Sequence, residues 1–221
     1  MAVGRPRAFD PDRVLETAME LFWEHGFDGV SVSDLTAATG INRRSLYAAF
    51  GSKEELFARA VERYLAGPGG FVAAALKRPT AWDVAEAVIH GAADAYTDPH
   101  RPRGCLLVQG ALAAGEDSDV VRADLARRRD AALTELVHRF DEAQAAGELS
   151  HVDTFGLARW ITAVCQGISI QARTGASRED LHEVADLALA GWPESRPVRL
   201  DRAPSPPMVK AGDGAEARGS G

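Results

Sequence analysis

Between Asp10 and Trp192 the apolar residues recur three and four apart, and no stretch alternates as a half-buried strand would. That spacing commits the chain to helices. The punctuation is equally regular. Asp10 caps a first helix with Pro11 in its first turn; its stripe is Val14, Ala18, Leu21 and Phe22, and Gly26 suits a left-handed stop. Ser31 and Asp34 form a capping box for a short helix through Ala38, which Gly40 ends. Asn42 is placed to cap a third helix, Arg43 to Phe50, and Ser52 a fourth that begins at Lys53. The run Gly67, Pro68, Gly69, Gly70 breaks that helix and frees its far end.

Further on, Thr80 with Asp83 opens a helix to about Tyr96, residues 98–102 form a loop, and another helix runs from Gly104 to Ala114. Val121, Leu125, Ala132, Leu136 and Phe140 mark a long helix that Gly147 ends. Asp153 starts a helix striped with Leu157, Ile161, Val164, Ile168 and Ala172. Ser177 and Asp180 start a last one carrying Leu181, Val184, Ala188 and Trp192. The expected fold is all-α, with about nine helices. A small N-terminal domain (1–65) precedes a larger helical domain (66–192), and a tail (193–221) of Pro, Gly, Ala and charge is expected to be disordered.

Composition excludes several classes. Two cysteines, Cys105 and Cys165, are too few for a disulfide scaffold or a zinc site. The first residues carry two arginines but no apolar run, which argues against a secretory signal. Leu157 to Ala172, the most apolar stretch, is too short and too polar to span a bilayer. A cytoplasmic protein with no membrane partner is expected. No Ser/His/Asp grouping, HExxH, phosphate-cradling glycine loop or metal-spaced cluster appears. No enzyme, cofactor or metal is therefore expected. A thiol enzyme on Cys105 would need a nearby activating His, and none is indicated.

Net charge is −7, which runs against nucleic acid binding, but phosphates respond to local clusters. From Leu35 to Lys53 there is no acid, while Arg43, Arg44 and Lys53 are basic. Two short helices around a glycine turn, the second opening with basic and polar residues, make a helix-turn-helix. Arg43, Arg44 and Ser45 then lie on the exposed first turn of a helix suited to the major groove, where arginine donates twice to guanine. Leu46 and Phe50 hold that helix from behind, and the Tyr47 hydroxyl suits a phosphate oxygen.

The run Phe22-x-x-x-Gly26-Phe27, Ser31-Val32-x-x-Leu35, Gly40-Ile41-Asn42-x-x-x-Leu46-Tyr47-x-x-Phe50 and Ser52-Lys53-Glu54-x-Leu56 resembles the DNA-binding domain of the tetracycline-repressor (TetR) family. Gly104-Cys105-Leu106-Leu107-Val108 is similar to a run in one branch of that family. The resemblance implies a transcriptional repressor that binds double-stranded operator DNA as a homodimer and is released by a small-molecule inducer. It also implies that Ser33, Arg43, Arg44, Ser45 and Tyr47 approach DNA, with Lys53 on a phosphate. Ala48 and Ala49 depart from many relatives, leaving base reading mainly to the arginines. Arg5 and Arg7 are candidates for a minor-groove or phosphate contact, against the plainer reading of a loose arm.

A ligand cavity in a helical domain needs an apolar wall with a few polar anchors. Trp82, His90, Tyr96, Cys105, Gln109, Trp160 and Gln166 are the candidates. Cys105, at a helix start, is either a reactive sensor thiol or a small buried residue, and Cys165 reads as core. Arg127, Arg128 and Arg129 read as a solvated face. The last two helices are expected to pair across a two-fold axis, with Ile168 or Val184 toward the partner. A rival reading is an architectural DNA binder with no ligand; a cavity with polar anchors separates the two.

Overall fold

A computed structural model describes residues 9–113 and 118–193, except for the side chains of 111–113. Arg5, Arg7 and the tail beyond residue 193 lie outside the described residues. All described secondary structure is helical, as expected: α1 (Pro11–His25), α2 (Val32–Thr39), α3 (Arg43–Phe50), α4 (Lys53–Ala66), α5 (Phe71–Ala75), α6 (Ala81–Tyr96), α7 (Leu106–Ala113), α8 (Asp119–Ala145), α9 (Thr154–Arg173) and α10 (Arg178–Leu189). Nine of these match the helices read from periodicity. The short α5, which has no side-chain cap, follows the glycine break and was not foreseen.

The caps explain the agreement. Asp10 accepts the Asp12 N–H at 3.0 Å, and Asn42 accepts that of Ser45 at 2.9 Å. Ser31 with Asp34, Ser52 with Glu55, Thr80 with Asp83 and Ser177 with Asp180 form reciprocal boxes. Each satisfies N–H groups that a helix start leaves unpaired. Two boundaries moved. Gly104 has φ +83°, a left-handed conformation no helix continues through, so α7 begins at Leu106. α10 ends at Leu189, and Trp192 packs from the turn beyond it, edge-on to Trp82 at 5.5 Å.

α1 lies along α4, with α2 and α3 crossing beneath, around the aromatic trio Phe22, Phe27 and Phe57. α6, α8, α9 and α10 pack into a second core containing Ile89, Phe140, Ile161, Ile168 and Leu181, each essentially inaccessible to solvent. The two parts meet where α1 and α4 touch α7 and α8. Glu16 of α1 is bound by both Arg63 of α4 and Arg101 of the loop before α7. Arg173 donates to the Glu24 carboxylate at 2.9 Å, and Ser118 to Asp28 at 2.6 Å. No described helix is long and apolar enough to cross a membrane.

Candidate nucleic-acid interface and the cavity behind it

α3 is held from one side only. Leu46 and Phe50, four apart, are buried against the small core with Leu35 of α2. The opposite face carries Arg43, Arg44, Tyr47 and Ala48, all exposed, with Ser45 half-buried beside them. The Arg43 guanidinium reaches the Tyr47 hydroxyl at 3.3 Å and lies 5.5 Å from its ring, so the two are ordered together. Ser33 is exposed near the start of α2. Lys53 is half-buried at the start of α4, its ammonium 4.1 Å from the Phe27 ring. Burial pushes its pKa below the usual lysine value, against the pull of Asp28, Glu54 and Asp34. These six residues lie on α2, α3 and the first turn of α4, helices that pack around one small core. Sequence reading missed Arg59, which donates to the Ala49 carbonyl at 3.1 Å and stacks on Phe50, fixing the far end of α3.

Behind the joint lies a cavity of about 150 Å³. α4 to α9 each supply part of the wall, among them Tyr64, Val72, Val88, Leu107, Leu136 and Ile161. Of the candidate ligand residues, Tyr96, Cys105 and Gln166 line it. The others do not. Trp82 stands outside, against Trp192. His90 faces away on α6 and pairs with His182 of α10, ring nitrogens 2.8 Å apart, each ring backed by an aspartate. Gln109 lies beside Gly104, and Trp160 packs half-buried against the core. Cys165, read as plain core, is on the cavity wall. Of the arginine row, Arg128 pairs with Asp124 and Glu62, while Arg129 lines the cavity and donates to the Leu107 carbonyl at 3.1 Å. Neither is simply solvated.

The polar group in this cavity is compact. Cys105 is buried one residue before α7, with its N–H on Ser169 Oγ at 2.9 Å, and it shares the cavity wall with Tyr64 and Tyr96. Burial, then the neighbouring thiol, pushes both phenols well above the ordinary tyrosine pKa, so both remain protonated. Burial likewise pushes Cys165 up to about 12. Gly69 makes the glycine break more than a joint. A Cβ there would stand 2.6 Å from the Tyr64 ring, so this glycine admits the ring that forms the cavity wall. Among the described residues no group of three or more His, Cys, Asp or Glu is placed to hold a metal ion.

Trp23 ties α1 to the cavity wall. It belongs to α1, is buried, and its indole N–H donates to the Gly104 carbonyl at 2.9 Å. Its ring meets Tyr64 edge-on at 4.7 Å. One α1 side chain thus touches a cavity tyrosine and the peptide that leads into Cys105. The sequence reading did not single it out: the stripe read for this helix was Val14, Ala18, Leu21 and Phe22.

Comparison with known proteins agrees along most of the chain. Residues 14–60 match the pattern of bacterial regulatory proteins of the tetR family, and residues 85–187 that of the tetracyclin repressor-like C-terminal domain. The HTH-type transcriptional repressor ComR of Escherichia coli K12 is 34% identical over 194 residues, covering 86% of this chain and 92% of its own. The repressor BdcR of the same organism is 33% identical over 187 residues, 84% and 90% of the two chains. A cysteine-substituted form of the TetR family transcriptional regulator CifR, solved with a 26-base-pair operator DNA, superposes with a TM-score of 0.82. It is 38% identical, covering 86% of this chain and all of that one.

Proposed function

The chain belongs to the TetR family of bacterial regulatory proteins, and we propose that it is a cytoplasmic repressor that binds a palindromic operator as a homodimer and leaves it when a small molecule fills the cavity. The observation that carries this reading is the exposed Arg43, Arg44 and Tyr47 face of a helix locked from behind by Leu46 and Phe50. The arginines supply base contacts in the major groove, and Ser33, Ser45, Tyr47 and Lys53 position the unit on the backbone. Solved relatives bound to operator DNA support the partner.

The last two helices support a dimer; of the two positions expected to face the partner, Val184 is half-buried and Ile168 is not available. Ile168 is wholly buried within one chain and cannot face a partner. Phe155 and Ile170 of α9 and Leu187 of α10 are instead 49%, 45% and 76% exposed. Between the first two along α9 lie exposed Ala163 and half-exposed Gly167, small residues that allow close approach of a second helix. An apolar face of this kind is what a two-fold four-helix contact buries.

Release requires that ligand and operator prefer different arrangements of the two parts. Trp23, with Tyr64, is the element that reports on both. Footprinting on genomic fragments tests the reading: it requires a two-fold symmetric site whose half-sites lie about 34–36 Å apart. Protection without that symmetry, or none at moderate salt, would refute it.

A further inference from the structure

The cavity's dimensions and lining narrow the kind of molecule it holds. At about 150 Å³ it matches the size of engineered protein cavities that hold a benzene ring. Half of its lining residues are aliphatic, among them Val72, Val88, Leu133, Leu136 and Ile161. No aspartate or glutamate lines it, so a cation entering would lose its water and gain no counter-charge. The one charged lining residue, Arg129, is half-exposed and already donates to the Leu107 carbonyl. A carboxylate entering would have to be stripped of water for a partner that remains partly in solvent.

The uncharged polar groups on the wall are the hydroxyls of Tyr64, Tyr96 and Thr162, two thiols and the Gln166 amide, which can both donate and accept. The Thr162 hydroxyl donates to the Ala158 carbonyl at 2.8 Å. Burial keeps the phenols of Tyr64 and Tyr96 protonated, so each has one hydrogen to donate. Tyr64 and Tyr96 share the wall with Cys105, whose sulfur is only a weak acceptor. A ligand oxygen is a better one. Donating to a ligand oxygen gives either hydroxyl a stronger bond than a thiol can offer.

We propose that the ligand is a small uncharged molecule, a single ring or a chain of similar bulk, with one acceptor oxygen received by the hydroxyls of Tyr64 and Tyr96. The inference rests on the repressor reading only in naming that molecule the inducer; its chemistry follows from the wall alone.

Calorimetric titration of the full chain with acetophenone, toluene, benzoate and benzylamine tests it, since the four share a ring and differ in polarity and charge. Acetophenone should bind roughly three- to tenfold tighter than toluene, the worth of one hydrogen bond, and the two ions should not bind measurably. Tyr64→Phe with Tyr96→Phe should bring acetophenone down to toluene's affinity and leave toluene unchanged, in a protein whose melting shows it folded. Val108→Phe, filling the cavity from its wall, should abolish both. Equal wild-type affinity for toluene and acetophenone would overturn the role of the hydroxyls. Binding of benzoate or benzylamine in preference would overturn the uncharged class, and failure of all four would overturn the site. Operator release is measured separately: a ligand that binds as described but leaves the operator bound refutes the repressor mechanism and leaves the cavity chemistry standing.

Discussion

The reading face and the cavity are built by opposite means. The face comes from one short stretch of chain, Ser33 to Lys53, whose functional side chains point away from the residues that hold it. The cavity is assembled from six helices between Tyr64 and Gln166, and its functional side chains are themselves part of the core. On the face, specificity and stability are carried by different residues. In the cavity they are carried by the same ones. A substitution on the face should therefore change binding and leave melting alone, whereas one behind it should change both.

The strongest challenge to this contrast is a charge within the second core. Ile168→Asp should destabilise the fold by on the order of 4 kcal/mol, because the carboxylate has no partner there. Leu187→Asp, on the exposed side of α10, should stay within about 0.5 kcal/mol of wild type in the monomer while weakening self-association. Sedimentation with urea melting distinguishes them; a folded Ile168→Asp dimer would break the comparison. Next in size, Arg43→Ala and Arg44→Ala should each remove about 1–3 kcal/mol of operator affinity and relax base preference, with no change in melting. A double variant that retains full affinity would take the face out of the account.

Trp23→Phe sharpens the comparison at its boundary. It leaves the Gly104 carbonyl without its donor and should cost about 1–3 kcal/mol of stability. Because Trp23 joins the parts without lining either site, it should also reduce the factor by which ligand weakens operator binding. Paired titrations with and without operator would show that factor unchanged if the contact were merely structural. The smallest effect concerns Glu16. Burial raises its pKa, but Arg101 and Arg63 outweigh that and hold it below the usual glutamate value. The stabilisation is thus present above the unfolded pKa, near 4.3, and is lost as pH falls through the lower folded value. Glu16→Gln should cost under about 1 kcal/mol at neutral pH, and the difference should fade in acid. A difference that grew in acid would mean the carboxylate is not held as an anion.

The same contrast decided what could be read from sequence. Helix starts in the first part are written in residues that satisfy N–H groups two or three positions away, so Asp10, Ser31, Asn42 and Ser52 marked them directly. The reading face followed, since a helix's outward residues are those its buried ones leave. The cavity was only partly legible. Tyr96, Cys105 and Gln166 were named, but Tyr64 and Cys165 occupy apolar stripes, and whether a stripe meets a neighbour or a void depends on how distant helices pack. Trp82 and His90 show the converse: residues suited to a ligand were taken by partners far along the chain, Trp192 and His182. α5 escaped because five residues without a cap give too little periodicity to detect.

Tyr64 carries a consequence for how such a protein diversifies. It lines the cavity, packs on Trp23 of α1, and owes its position to the missing side chain at Gly69. Drift that altered the effector preference at this residue would be pleiotropic, disturbing the seating of the DNA reader at the same stroke. Exposed Arg44 and Ala48 carry no such linkage. Operator preference is therefore free to change by single steps, whereas effector preference should change either at walls remote from α1, such as Leu133 and Thr162, or through paired substitutions.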